Sequence, residues 1–221
     1  MNFLQLARQL RQETGTQGTG PTTVVGQSGD YKRIVDWVNL AYIEICNKWL
    51  DWKFLWDETT LDLVAGTRDY VAPAGVAIVN EDAVYIGTRK LDPIPYEHYR
   101  ESRSDFDGQT GEPADFTILP NGKLRFFPTP GTSAVVSLEV QRFGQRLVTD
   151  ADQSLIPGNY LDTVLWRGKM FWAEHEEAPE QYQQALANFN QAMLRLEAAQ
   201  LPSREYAHGR VQGADIVVRA A

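Results

Sequence analysis

The residue types that could do chemistry are few and scattered. The three histidines, His98, His175 and His208, fall in three separate segments, none with a second histidine near it. His175-Glu176-Glu177 lacks the H-E-x-x-H spacing that sets two ligands on one helix face, so no metal site is expected. Cys46 is the only cysteine. It has no local signature of a nucleophile, and the chain has no G-x-S-x-G elbow. One cysteine forbids an intramolecular disulfide, and within a helical pattern it reads as a small buried hydrophobe. Carboxylates cluster at Glu81/Asp82 and at Glu174/Glu176/Glu177. A carboxylate pair can hydrolyse a glycosidic bond, but solvated faces account for both clusters. The glycine-rich stretch TGTQGTGPTTVVG lacks the G-K-[ST] ending and the preceding strand of a phosphate-binding loop. Arg8 with Arg11, Lys32 with Arg33, Arg100 with Arg103, and Arg204 with Arg210 are dispersed. They form no stripe interleaved with exposed aromatics of the kind that holds single strands. No cofactor is expected, and nothing demands an enzyme.

The bulk composition narrows the classes further. A chain of 221 residues can hold one good core and a small inserted subdomain. Apolar content of 43% and charged content of 23% describe an ordinary globular protein. No run approaches the roughly 20 apolar residues needed to cross a bilayer. The start, MNFLQLARQLRQ, has no continuous apolar stretch or small-residue cleavage site and does not read as a signal peptide. A formal net charge of −8 argues against a sequence-reading DNA binder. It suits a wall past which DNA slides, where repulsion prevents sticking.

The central element is the stretch from Asp30 to Lys53. Tyr31, Ile34, Val35, Val38, Tyr42, Ile45 and Trp49 repeat at three and four, the period of a helix face. Asp30 stands where a helix N-cap is expected, after the chain breaks at Gly26, Ser28 and Gly29. Trp37, Trp49 and Trp52, with Phe54 and Trp56 beyond, make a dense aromatic cluster. Trp37 and Trp49 are expected in the core; a subunit interface is the other place where such rings gather. Ahead of this element a helix is expected over about Asn2 to Glu13, then the loop GTQGTGPTT, a connector or an interaction loop.

After it the period changes. Thr59, Leu61 and Leu63 alternate with polar neighbours, and AGTRD makes a turn. Tyr70-Val71, Ala77 to Val79 and Ala83 to Ile86 are short strand candidates. LDPIPYEHYRESR leads into a turn or two of helix. Phe116 and Ile118, the turn Pro120-Asn121-Gly122, then Leu124 and Phe126, then Val135 to Phe143 read as an antiparallel meander. Helix returns over LIPGNYLDTVLWRGKMFWAEHEE, where Gly168 on the apolar face predicts close helix packing. A last helix runs from about Glu180 to Gln200 behind Pro179, with a seam at Tyr182, Leu186, Phe189, Met193 and Leu196. Pro202 stops it. The tail ends in a short β-like run, DIVVRA, with too few apolar residues to fold alone. The expected class is α+β: an antiparallel helical bundle with an inserted antiparallel β-meander subdomain and an extended C-terminal tail. The divisions are 1–58, 59–145, 146–200 and 201–221.

This order of elements, with GTGPTTVVGQSGDYKRIVDWVNLAYIEI and GEPADFTILPNGKLRFFPTP inside it, resembles the head-to-tail adaptor (connector) proteins of tailed bacteriophages. The carrying residues are Trp37-Val38-Asn39 with Ala41 and Tyr42; Gly111, Pro113 and Phe116; and Leu124, Phe126, Pro128 and Pro130. The likeness covers roughly Asn2 to Gln200. It implies a structural protein of the virion neck, made in the host cytoplasm. It implies a dodecameric ring below the portal protein, above a tail or nozzle protein, around double-stranded DNA that passes without sequence-specific binding. In that family the C-terminal segment commonly reaches onto the portal. Here the segment is Ser203 to Ala221, with Arg204, Tyr206, Arg210, Val211, Ile216, Val217, Val218 and Arg219 as the expected contacts. The rival readings are a carboxylate-dependent cell-wall hydrolase working through residues such as Glu81 and Glu174, or another neck or tail-completion protein. No membrane partner is expected.

Overall fold

The computed structural model describes residues 1–103, 105 and 108–202. Five helices are present among them: α1 (Phe3–Thr14), α2 (Gly29–Lys48), α3 (Tyr96–Ser102), α4 (Asp162–His175) and α5 (Pro179–Gln200). The chain divides into two compact units. One is Met1–Leu55 with the chain from Gly144 onward; the other is Trp56–Phe143.

In the helical unit α4 packs against α1, α2 and α5, and α1 also meets α2. Asn2 starts α1 with a reciprocal cap: its side chain accepts from the Gln5 amide at 2.9 Å, and its own amide donates to the Gln5 side chain at 3.0 Å. This satisfies two amides that a helix start would otherwise leave without partners. Phe3, Leu6, Ala7 and Leu10 of α1 meet Ile34, Val38, Ala41, Tyr42 and Ile45 of α2 in the core, with Val164, Leu165, Met193 and Leu196. Gly168 lets α1 approach closely: a Cβ there would lie 2.7 Å from Leu10 Cδ2. On α5 the seam is buried at Ala185, Ala192, Met193 and Leu196, while Tyr182, Leu186 and Phe189 are half-buried.

Two expectations about the central helix are corrected. The cap position is Ser28, not Asp30, because Gly29 adopts a φ of 59° and turns the chain into the helix sooner. Asp30 lies in the first turn, where its charge still suits the helix dipole, and pairs with Arg33 at 2.7 Å. The helix ends at Lys48, and Trp49 is extended at φ −135°, ψ 138°. Trp49 therefore leaves the buried face and is 45% exposed, while Trp52 takes the core place at 0%. The indole N–H of Trp52 donates to the Ile45 carbonyl at 3.0 Å, so nothing polar is stranded by its burial. Trp37 is half-buried at the edge of the core, its ring centroid 5.7 Å from that of His175.

The second unit is β-rich: β1 (Trp56–Leu63), β2 (Asp69–Val71), β3 (Val76–Ile86), β4 (Arg89–Lys90), β5 (Asp92–Pro93), β6 (Thr110–Gly111), β7 (Asp115–Ile118), β8 (Lys123–Phe127), β9 (Thr129–Pro130) and β10 (Ala134–Arg142). One four-stranded sheet has the order β1-β10-β3-β4, the other β2-β8-β7-β5, and β6 pairs with β9. The two larger sheets share one core. Leu63, Val79, Val84, Val136, Leu138 and Val140 come from the first, and Tyr70, Phe116, Leu124 and Phe126 from the second. The expected hairpin across Pro120-Asn121-Gly122 forms as β7 and β8. The strand after it does not continue as their neighbour: β10 pairs with β1 and β3 instead. Its alternation of buried Val136, Leu138 and Val140 matches the apolar face of β1 and β3 equally well, and sequence alone does not distinguish those partners. The strand candidates on either side of Asn80-Glu81-Asp82 are one strand, β3, with a shift of register against β10 there. Two pairings, β5 with β7 and β6 with β9, are parallel.

Candidate assembly surfaces

None of the expected partner-binding residues, Arg204, Tyr206, Arg210, Val211, Ile216, Val217, Val218 and Arg219, is among the described residues. What the structure gives is the base from which that segment leaves. The last turns of α5 are fastened to the end of α2. Glu197 accepts from Trp49 Nε1 at 2.9 Å and pairs with Lys48 at 2.7 Å, and Lys53 Nζ donates to the Ala199 carbonyl at 3.4 Å. Burial pushes the Glu197 carboxyl up, but the bonds from Lys48 and Trp49 outweigh it and hold the group below its ordinary range. The exposed tryptophan thus serves as a clamp on the last helix. Leu50, 48% exposed, adds apolar surface beside it in sequence.

The loop between α1 and α2 is also held. The Arg8 guanidinium donates to the Pro21 carbonyl at 2.9 Å, and Arg11 reaches the Gly18 carbonyl. Asp150 accepts from the Thr23 hydroxyl at 3.0 Å and the Val24 amide at 2.6 Å. By composition this loop fits a connector or an interaction loop. Its backbone is latched from several sides, and it presents Val25 to solvent at 59% exposure. A buried Asn39 makes a second latch, exchanging two hydrogen bonds of 2.9 Å with the backbone of Leu147. The sequence marks Asn39 only as part of the Trp37–Tyr42 motif, and neither its bonding role nor that of Asp150 is legible there, because their partners lie more than a hundred residues away.

On the β unit, α3 lies over the face of β7 and β8 turned away from the core. Arg125 of β8 forks onto Asp69 at 2.6 and 2.8 Å, with its guanidinium carbon 5.7 Å from the Tyr99 ring centre. The Arg125 bonds hold Asp69 below the ordinary carboxyl range. Arg103 pairs with Asp115 at 3.1 Å and stacks over Phe127. The other sheet has an outer face made by Trp56, Glu58, Thr60 and Asp62 of β1 with Val135, Ser137, Glu139 and Gln141 of β10. Trp56, Ile78 and Phe143 are 50%, 43% and 52% exposed, and Glu58 is directly opposite Glu139.

The chemical candidates are spread through these surfaces. His98 is exposed on α3, His175 is exposed at the end of α4, and His208 is outside the described residues. Glu81 is exposed on β3; Glu174, Glu176 and Glu177 are exposed at the end of α4 and after it. Cys46 is buried and free, and burial pushes its thiol up to about 12, which leaves it unreactive at neutral pH. Burial also raises Tyr42, whose hydroxyl neighbours that thiol. Among the described residues no group of three His, Cys, Asp or Glu side chains is placed to hold a metal ion. No described helix is long and apolar enough to cross a membrane.

No curated protein matches the chain. A protein family described as SU10 adaptor protein matches residues 1–213, which takes in both units. The match includes Arg204, Tyr206, Arg210 and Val211 and stops short of Ile216, Val217, Val218 and Arg219. The chain therefore belongs to the SU10 adaptor protein family, as its resemblance to phage adaptors implied, and it is a structural component of a phage virion that works by interacting with other virion proteins.

Proposed function

We propose that this protein is the head-to-tail adaptor of a tailed phage, a dodecameric ring under the portal that extends the DNA channel and carries the tail or nozzle. The observation that carries the proposal is the family match over 1–213. The helical unit supplies the faces between neighbours in the ring. The segment from Ser203 to Ala221 reaches the portal through Arg204, Tyr206, Arg210, Val211, Ile216, Val217, Val218 and Arg219. A segment that orders on contact can wrap a large surface and lock a ring without being part of a preformed core. The β unit meets the next tail component. Double-stranded DNA passes without sequence-specific binding, since a chain of net charge −8 repels the phosphate backbone.

The test is native mass of the protein alone and mixed with its portal ring. One ring-sized complex that gains about a dozen copies is expected, in keeping with closed cyclic symmetry. A chain lacking Ser203–Ala221 is expected to stay folded and to lose portal binding. Undiminished co-sedimentation of the truncated chain with portal rings would overturn the assignment of the tail.

A further inference from the structure

The outer face of the β1-β10-β3-β4 sheet carries a charge arrangement that is unfavourable in the isolated chain. Glu58 and Glu139 face each other in the β1–β10 register. Directly opposite residues of an antiparallel pair have Cβ atoms about 4.5–5.5 Å apart, and like charges there are destabilising. Glu139 accepts only long bonds, 3.4 Å from Trp56 Nε1 and 3.3 Å from Asn80 Nδ2. Neither Glu58 nor Asp62, which follows on the same face, has an ion pair among the described residues. By contrast Asp57, on the opposite face of β1, is paired with Arg142. Next to the carboxylates lies apolar surface: Trp56 and Ile78 flank Gln141 from its two sides, and Phe143 follows directly after the end of β10.

The same carboxylates border an open edge. β1 pairs with β10 on one side only, over eight residues and without a shift in register. Among the described residues no other backbone hydrogen bond reaches Asp57 to Asp62. Edges are ordinarily blunted by shortness, proline, lysine or a bulge. WDETTLDL has no proline and no lysine, and the register shifts of this sheet lie on the far side of β10. An edge-to-edge contact between two copies would set Glu58 and Asp62 of one chain against those of the other. The edge is thus open to an added strand and closed by charge to its own copy.

We propose that β1 is an acceptor edge to which an extended basic segment of a different virion protein adds as a fifth strand. Strand addition supplies affinity through main-chain bonds and specificity through alternate side chains. On the outer face the incoming strand sets an apolar side chain beside Trp56 and arginine or lysine beside Glu58 and Asp62. The cation beside Glu58 also relieves its repulsion with Glu139. This rests on the reading that the chain is held among other virion proteins.

Hydrogen exchange of the protein free in solution and in intact virions tests it, together with zero-length carboxyl-to-amine cross-linking of the virions. The outward amides of Asp57 to Asp62 are expected to exchange freely in the free chain and on the order of 100-fold more slowly in virions. Glu58 or Glu139 is expected to cross-link to a lysine of another protein. Glu58→Gln is expected to leave the free chain as stable or more stable, yet to lower its incorporation about tenfold. Unchanged exchange of β1 in a chain that is present in the virion would overturn the proposal, and so would cross-links only to a second copy. A chain missing from the particles would instead overturn the adaptor reading itself.

Discussion

Trp49 and Trp52 are three residues apart and do different work. Trp52 is fully buried, and its indole is bonded to the Ile45 carbonyl. Trp49 is half in solvent and holds Glu197. Replacing Trp52 with Ala removes a large buried ring and leaves a cavity and an unpaired carbonyl, so a loss of about 3–5 kcal/mol is expected. Trp49→Ala forfeits one partly exposed hydrogen bond and is expected to cost about 1 kcal/mol or less. Chemical denaturation of the two variants checks this, and equal losses would contradict the burial described. Periodicity favours Trp49 for the core because it extends the three-four pattern unbroken. The helix end after Lys48 takes it out of phase, and no glycine or proline marks that end in the sequence.

At the scale of elements, the close contact of α1 and α4 at Gly168 gives a prediction with an internal control. An alanine there gains helix propensity of about 1 kcal/mol. Its Cβ would lie 2.7 Å from a Leu10 side chain that is itself wholly buried, so overpacking of about 1–3 kcal/mol opposes the gain. Gly168→Ala is expected to lower stability by about 1 kcal/mol net, and far less in a Leu10→Ala background, where the space has been emptied. Additive effects in that double-mutant cycle would show that the contact is not the cause. Packing at Gly168 was legible in sequence because a glycine on an apolar helix face has few other uses. The elements were legible for the same kind of reason: α1, α4, α5 and the β7–β8 hairpin each carry a period and a stop. Partner choice was not. The apolar side of β10 fits any strand that alternates, and the facing of Glu58 with Glu139 exists only once the register is fixed. The bonding roles of Asn39 and Asp150 were hidden likewise, since a polar latch is understood only through its partner.

At the scale of the molecule, the β-rich unit is a single insertion whose two ends are paired. β1 begins at Trp56 and β10 ends at Arg142, and Trp56 stands opposite Gln141 in their antiparallel register. The chain therefore enters and leaves this unit at neighbouring points. Among the described residues its core draws on both of its sheets, and the side chains that form it all lie within Trp56–Phe143. A unit with a core of its own is expected to fold without the flanking chain, although its small size limits the apolar surface it can bury. The fragment 56–143, expressed alone, is expected to unfold in one cooperative transition with a stability of only a few kcal/mol. The complementary chain, with Leu55 joined to Gly144 by a short glycine-serine linker, is expected to keep the helical core of α1, α2, α4 and α5, because the closed gap spans neighbouring points. Dispersed amide resonances and a sigmoidal melt for each piece would bear this out, and a disordered 56–143 fragment would contradict it. The consequence reaches assembly. If the pieces fold separately, the helical chain is expected to form rings without the insertion, and the fragment is expected to compete with the intact protein for the next virion component.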